Sequence, residues 1–414
     1  MEHKEKRLGL IAAPGYPKEL GATLERELPE LLSYYVEDKF NWKVESTVDP
    51  LTGMTENSDE VMQATMDKSE KENWDFAVCL TDLPLFKGKY PIVAEAYEEG
   101  HVALISLPGL GSTPMIKRVR ESILQLVNEM YYGSSEDDRE QAEQRIQSKD
   151  DGQHKELKNK SSRKLMGKRG FERLSPIKRE TPDDEEKNID VRFIVKSRAS
   201  GTLRLLTGMV RANRPWAMFP AFMKVIVFAF TTGAYALVFP TLWMLSNNYG
   251  IWRMFMLSIV SIVAMVGWII AAHKLWEKPI EDRSAYMRQL YNATTVMTLF
   301  VSVCLYYMLL FLIFSLAVIA IIPMGMLKSQ LTGDVSYINY FYIAWTATSI
   351  STIIGALGSV LEKEEVVLSS TYGYRQRQRY EQIKKLEEEE QGQEQSGQET
   401  GEGNGVKQKL KRAK

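Results

Sequence analysis

The sequence contains only two cysteines and four histidines among its 414 residues. Cys79 falls in a predicted strand and Cys304 in a predicted membrane helix, so no disulfide framework is expected, and both thiols suit a reducing compartment. The histidines are scattered, and neither the spacing of a metal site nor a nucleophile with a neighbouring base is visible. We therefore expect no metal ion, and the cofactor, if there is one, is unknown.

Charge is missing from a long part of the C-terminal half. A membrane-spanning helix needs about 20 mostly apolar residues. Four segments meet this requirement without any Lys, Arg, Asp, Glu or His: Val225–Leu245, Met254–Ala272, Ala293–Leu327 and Val335–Leu361. We expect the third helix to end near Pro323, because proline cannot continue a helix. Residues 221–361 are thus predicted to form a four-helix transmembrane bundle (225–245, 254–272, 293–323, 335–361), and its lack of ionisable groups argues against proton-coupled transport.

Basic residues beside these segments predict the orientation. The flanks 196–220, 273–292 and 362–379 carry thirteen Lys and Arg, whereas the other two loops carry two, Arg253 and Lys328. Lys and Arg accumulate on the cytoplasmic side of a membrane. The apolar run LGLIAA before Pro14 is too short for a signal peptide, so no cleaved leader is expected. We predict a multi-pass protein of the cell membrane with both termini in the cytoplasm and the lipid bilayer as its partner.

The N-terminal part alternates short apolar runs with amphipathic ones. This pattern predicts a Rossmann-like, three-layer α/β domain over residues 1–133 with a mainly parallel, four-stranded sheet. The stretch Thr81–Gly100 contains Pro84, Gly88 and Pro91, so we expect an irregular excursion with a short helix at Ile92–Tyr97. The predicted strands are Leu8–Ala13, Lys43–Val48, Phe76–Leu80 and Val102–Leu107.

Loops that follow the strands are the expected ligand sites, because ligands bind beyond the carboxyl ends of parallel strands. Asp82 follows an apolar strand, where its carboxylate would bind a ligand or cap the turn before Pro84. The run PGLGSTP either binds an anion at the start of the next helix or needs its glycines for turn geometry. The ligand-binding candidates are Pro14, Gly15, Thr81, Asp82, Pro108, Gly109, Gly111, Ser112, Thr113, Lys117 and Arg118.

The remaining segments are rich in charge. Residues 134–195 have the composition of a disordered linker, and its basic run Lys155–Arg179 either attracts anionic lipid or is simply solvated. No aromatic stacking pattern accompanies the run, so nucleic-acid binding is not expected. Residues 196–220 predict a basic interfacial amphipathic helix or an ordinary cytoplasmic flank. Residues 362–414 are predicted to be a cytosolic tail with a helix at Tyr374–Glu390.

Small residues recur every four positions in the fourth apolar segment. Ser351, Gly355 and Ser359 give one helix face on which another helix backbone can approach closely. The pattern fits packing within the bundle or, alternatively, a homo-oligomer.

Several motifs carry a family resemblance. VCLTDLPL, YPIVAEA, VALISLPGLG and LRLLTGMVRANRPW together resemble a family of uncharacterised bacterial membrane proteins with an N-terminal cytosolic α/β domain and four C-terminal transmembrane helices. The Tyr-x3-Lys pair of Tyr35 and Lys39, with the LPL at Leu83–Leu85, is locally similar to methylenetetrahydrofolate dehydrogenase/cyclohydrolase. That similarity implies a catalytic role for Lys39 and stacking of folate on Tyr35.

Three functional classes follow from these patterns. The leading hypothesis is a membrane-tethered sensor or scaffold, whose α/β domain binds a small anionic ligand or a protein. The alternatives are a folate-linked, NADP-dependent dehydrogenase/cyclohydrolase-like enzyme and a subunit of a transport or envelope assembly.

Overall fold

The computed structural model describes residues 4–112, 114–135, 137–138, 140–141, 144, 175–182, 189–279, 284–332, 334–358, 374–376 and 378–381. The chain divides into two units. The first comprises Met1–Gly208 together with Gln376–Lys414, and the second comprises Met209–Arg375.

Among the described residues, eight strands of the first unit form one sheet. The order is β2-β1-β3-β6-β5-β8-β7, with β4 paired to β5. Strands β2, β1, β3 and β6 are parallel neighbours, whereas the pairs beyond β6 are antiparallel. The strands are β1 (Lys4–Ala12), β2 (Phe40–Val48), β3 (Phe76–Thr81), β4 (Leu85–Lys87), β5 (Tyr90–Tyr97), β6 (Val102–Ser106), β7 (Ile177–Glu180) and β8 (Val191–Val195).

Helices cover both faces of this sheet and make three layers. Alternate residues of β3 point to opposite faces, so Val78 belongs to one buried cluster and Cys79 to another. Helices α1 (Tyr16–Tyr35) and α4 (Met115–Tyr132) pack on the first face, and α2 (Ser58–Glu72) packs on the second. A 3-10 helix at Pro50–Gly53 follows β2, and the short helix α3 (Leu107–Leu110) follows β6.

The sheet differs from the predicted one. The four expected parallel strands are present and adjacent, but the sheet is mixed and has eight strands, so a mainly parallel four-stranded sheet is wrong. The helix predicted at Ile92–Tyr97 is wrong as well, because these residues belong to strand β5. Strand pairing on both sides, to β6 and β8, buries residues 91–96 and overrides the local preference of the Ala-Glu-Ala run for helix.

Two strands lie inside the segment that composition assigns to a linker. Strands β7 and β8 pair antiparallel, and all five residues of β8 are buried. Val191, Phe193 and Val195 join the core cluster that contains α1 and α4. Residues 175–182 and 189–195 are therefore part of the folded first unit, whereas residues 155–174 of the basic run lie outside the described part of the chain.

The described part of the second unit is helical, and the unit begins within α5 (Arg198–Asn213), at Met209. Among the described residues, three helices are long and apolar enough to cross a membrane: α8 (Ile251–Ala272), α9 (Ala285–Ile321) and α11 (Ile338–Gly358). Helices Arg198–Met218 and Met223–Leu237 pass the test only together; they are bent by 61° and form either a broken span or a re-entrant loop. A 3-10 helix covers Pro215–Phe222, and the helices after it are α6 (Met223–Leu237), α7 (Pro240–Asn248), α8 (Ile251–Ala272), α9 (Ala285–Ile321), α10 (Met324–Gln330) and α11 (Ile338–Gly358).

The first predicted span is interrupted. Pro240 begins α7, and Phe239 before it is extended, with φ −92° and ψ 121°. Proline lacks an N–H and disfavours helical geometry in the residue before it, which explains the break between α6 and α7. Helix α9 ends at Ile321, two residues before Pro323, as its sequence predicts.

Candidate functional site

Strand β1 lies between β2 and β3, and all three strands are parallel. Strand β2 lies on one side of β1 and β3 on the other, so the chain winds both ways from this strand. In open α/β sheets, such a reversal opens a crevice beyond the carboxyl ends of the two strands, where ligands bind. Here the crevice lies between the loops after β1 and β3.

Backbone and side-chain hydrogen bonds fix the loops around this crevice. The Thr81 hydroxyl accepts a hydrogen bond from the Leu83 N–H at 3.2 Å, and the Ser106 hydroxyl donates to the Leu83 carbonyl at 2.8 Å. After β2, Asp49 accepts from the Leu51 N–H at 3.0 Å and starts the 3-10 helix. These bonds hold Asp82 and Gly53 in place.

An arginine of the C-terminal segment, described at residues 374–376 and 378–381, occupies the crevice. Arg379 Nη1 donates to Asp82 Oδ1 at 2.8 Å, and its Nη2 donates to Asp82 Oδ2 at 3.0 Å. The same two nitrogens donate to the carbonyl oxygens of Gly53 and Pro14, each at 2.7 Å. The guanidinium thus contacts the loops after β1, β2 and β3, which are three consecutive parallel strands.

The pair is buried. Asp82 is 0% exposed and Arg379 is 3% exposed. Two charges away from water are tolerated when they are paired and their remaining donors are hydrogen-bonded, and the two carbonyls supply such partners. A methyl group added at Gly53 would lie 2.2 Å from Arg379 Nη1, so glycine leaves the space that the guanidinium fills.

Gln376 adds a second contact from the same segment. Its side-chain amide donates to Glu56 Oε1 at 3.3 Å and to the Met54 carbonyl at 3.4 Å. Residues 374–376 and 378–381 are helical, and residues three apart share a helix face. Gln376 and Arg379 therefore present one face of a helix to the loops after β1, β2 and β3.

Two of the predicted ligand residues meet in this site. Pro14 and Asp82 both bind Arg379, and Thr81 shapes the turn that carries Asp82. Gly15, with φ 98°, precedes the first turn of α1 and supplies a backbone conformation that residues with a Cβ rarely adopt. Burial raises the pKa of the nearby Cys79 thiol to about 12, so it stays protonated and unreactive at neutral pH.

The glycine-rich run after β6 is packed against other parts of the first unit. A methyl group added at Gly109 would lie 2.6 Å from the Ile92 carbonyl oxygen, and one added at Gly208 would lie 2.3 Å from the Pro108 carbonyl oxygen. Gly111 has φ 78° and lies beside the Arg204 side chain. These close approaches give the glycines a packing role.

The polar candidates of that run are distributed differently. Ser112 is exposed and Lys117 is half-buried, while Thr113 lies outside the described residues. Arg118 is 0% exposed and donates to Glu121 at 3.2 Å within α4. Anion binding by this run stays a prediction.

Tyr35 and Lys39, the residues of the folate-enzyme hypothesis, lie at the other edge of the sheet. Tyr35 is the last residue of α1, and Lys39 directly precedes β2 at its amino end. Tyr35 is buried in the core, whereas Lys39 is exposed. An open cavity of about 670 Å³ also lies at this amino edge, lined by residues that include Trp74, Asp75 and His101.

The small-residue face of α11 packs inside the second unit. A methyl group added at Gly355 would lie 2.5 Å from the Tyr306 hydroxyl and 3.1 Å from the Ala229 Cβ. Ser351 lies against Gly233 of α6 in the same way. Ser359 lies outside the described residues, so the face is seen as far as Gly358.

A polar cluster joins three of the apolar helices. The Tyr307 hydroxyl of α9 is 2.7 Å from the Ser349 hydroxyl of α11 and 2.9 Å from the Ser258 hydroxyl of α8. Trp345 Nε1 donates to Ser258 at 2.6 Å. Hydrogen bonds of this kind hold helices together where water is absent.

Five residues of the site are absent from the sequence-based candidates: Gly53, Met54, Glu56, Gln376 and Arg379. Gly53 ends the DPLTG loop, which follows a predicted strand, so its position gave a signal. Arg379 stands beside Arg375 and Arg377 in a polar tail, and nothing in the local pattern singles it out.

Among the residues that the structure describes, no group of three or more His, Cys, Asp or Glu side chains is placed to hold a metal ion. No protein-family model matches the chain, and neither a curated protein nor a solved structure matches it significantly. The resemblance to bacterial membrane proteins and the local similarity to the folate enzymes therefore stay predictions.

Proposed function

We propose that this protein is a membrane-tethered sensor or scaffold, with its ligand site at the carboxyl edge of the parallel strands and its own C-terminal segment as the cover of that site. The observation that carries the proposal is the buried guanidinium of Arg379 on Asp82, Gly53 and Pro14. Both termini are proposed to be cytoplasmic, so the α/β domain and the segment share one compartment.

Chemistry at the crevice supports binding over catalysis. Arg379 is held by one carboxylate and two backbone carbonyls, which are groups that recognise a cation. The carboxylate is engaged in an ion pair and so is not placed to act as a general base, and these groups include no thiol nucleophile. Arg379 already occupies the crevice, so it would compete with an external ligand for the same acceptors. Release of the segment would then be the signal that the domain passes on.

The substitution Asp82→Asn tests this proposal in the full-length protein in detergent micelles. It keeps the size of the side chain and removes the charge, so Arg379 loses its ion pair and would stay buried without compensation. Breaking a buried pair in this way costs about 3 kcal/mol, which is roughly a hundredfold in an equilibrium constant. We expect amide hydrogen exchange of residues 374–381 to become faster by a similar factor.

Asp67→Asn is the matched control, because Asp67 is exposed on α2 and contacts Gln63. This variant should leave exchange in the C-terminal segment unchanged. Equal exchange of residues 374–381 in Asp82→Asn and in the unsubstituted protein would show that Asp82 does not hold the segment, and the proposal would fail.

A further inference from the structure

The acceptors around Arg379 define the kind of ligand that the crevice takes. Four hydrogen bonds run from the guanidinium to the Asp82 carboxylate and two carbonyls, so these loops present acceptors and a negative charge to their occupant. A phosphate or carboxylate ligand would meet the Asp82 charge in a buried place and be repelled. The small anionic ligand expected from the strand-end loops does not fit this geometry.

The geometry also distinguishes arginine from other cations. Nη1 and Nη2 each reach one oxygen of Asp82 and one backbone carbonyl, an arrangement that needs a planar fork with donors on two nitrogens. A lysine ammonium carries its donors on one atom and reaches fewer of these acceptors at once. Magnesium and calcium ions take six or more oxygen ligands, whereas these hydrogen bonds of Arg379 involve one carboxylate, that of Asp82, and two carbonyls.

We propose that the crevice binds an arginine side chain from a helical segment of a partner protein, in exchange for Arg379. This inference rests on the proposed function and names the ligand of the same site. The partner segment is expected to carry Gln-x-x-Arg, because Gln376 contacts Glu56 and the Met54 carbonyl from the same helix face as Arg379. Asp82 is 0% exposed when Arg379 covers it, so a segment that covers it in place of Arg379 must also bring a positive charge.

The test measures binding of a fluorescent peptide with the sequence of residues 374–381 to full-length protein in detergent micelles. Arg379→Ala opens the crevice and should bind the peptide at least tenfold more tightly than the unsubstituted chain, in which Arg379 occupies the site. Adding Asp82→Asn to Arg379→Ala should abolish binding. A peptide with lysine at the position of Arg379 should bind at least tenfold more weakly, whereas replacement of its Arg375 should change little.

A second variant tests whether the arginine of the peptide takes the position that Arg379 leaves. Gly53→Ala, combined with Arg379→Ala, removes no acceptor but puts a methyl group where Nη1 lies, so peptide binding should be lost. As a further check, millimolar peptide added to the unsubstituted protein should speed amide exchange of the protein's own C-terminal segment.

Several outcomes would overturn the inference. These are no peptide binding by Arg379→Ala together with no effect in the exchange experiment, equal binding of the lysine peptide, or binding that survives Asp82→Asn. Displacement of the peptide by magnesium chloride would instead assign the crevice to a metal ion. Faster exchange in Asp82→Asn without any peptide binding would leave the proposed cover intact and reject the partner segment.

Discussion

At the scale of single residues, the pKa of the partly exposed Glu45 carboxyl on β2 is strongly lowered. Its carboxylate accepts hydrogen bonds from Trp74 Nε1 at 3.0 Å and Arg7 Nη2 at 2.8 Å, and it pairs with Lys43 at 2.9 Å. The hydrogen bond from Trp74, then that from Lys43, lowers the pKa of Glu45 from 4.5 to about 2, with a further contribution from Arg7. The ionised form is therefore favoured in the folded protein.

This pKa predicts a pH-dependent contribution to stability. Because the folded pKa lies below the unfolded one, the contribution is present above pH 4.5 and is lost as the pH falls from about 4.5 to about 2. Glu45→Gln should lower the thermal unfolding midpoint at pH 7 and flatten its decrease between pH 5 and 3. Glu30→Gln, at an exposed position of α1, is the control and should behave like the unsubstituted protein. Parallel pH profiles for all three proteins would contradict this assignment.

The residues of the candidate site differ in how far sequence reveals them. Asp82 could be predicted, because an acid directly after a buried parallel strand faces the carboxyl edge of the sheet. Its partner could not, since Arg379 lies 297 positions away and shares its type with two near neighbours. Long-range pairing of a charged side chain depends on tertiary structure, which leaves no local pattern.

At the scale of elements, the contact between α6 and its neighbours depends on Gly233. A methyl group at this position would lie 2.0 Å from the Ser351 hydroxyl and 2.3 Å from Phe314 Cζ. Gly267 of α8 has nothing within 4 Å of the same point. The two glycines therefore form a matched pair, one in a close helix contact and one in open space.

Gly233→Ala is expected to destabilise the second unit by about 1–3 kcal/mol, the usual cost of overpacking a core. Gly267→Ala should be neutral or slightly stabilising, because alanine favours helix over glycine. Thermal unfolding of both variants in detergent micelles compares them directly. Equal losses would show that the α6–α11 contact does not need a small residue.

Elements with a clear apolar pattern were predictable, and strands that carry charged residues were not. Apolar length alone marks α8, α9 and α11, because a span must be apolar along its whole length. Strand β5 escaped prediction because Glu95 is buried in it and looks unsuitable for a strand interior. Its partner is Arg192 of β8, which supplies the opposite charge from the neighbouring strand. Strands β7 and β8 are short and sit among charged residues, so composition concealed them.

At the scale of the whole molecule, the distribution of Lys and Arg predicts the orientation in the membrane. Cysteines placed at Asn248 and Ser329 should react with a membrane-impermeant maleimide in intact cells, because their loops carry few Lys and Arg. A cysteine at Lys18 should react with the maleimide only after the membrane has been permeabilised. The background is Cys304→Ala, while the buried Cys79 stays. Labelling of the Lys18 position in intact cells would reverse the predicted orientation.

The arginine that fills the crevice and the crevice itself are parts of one chain. Arg379 belongs to the same chain as its crevice, so it competes with a partner segment at an effective concentration and not as a free molecule. Exchange of one guanidinium for another leaves the charge of the crevice unchanged. A partner segment therefore replaces Arg379 only when its own concentration, weighted by its affinity, exceeds that effective concentration.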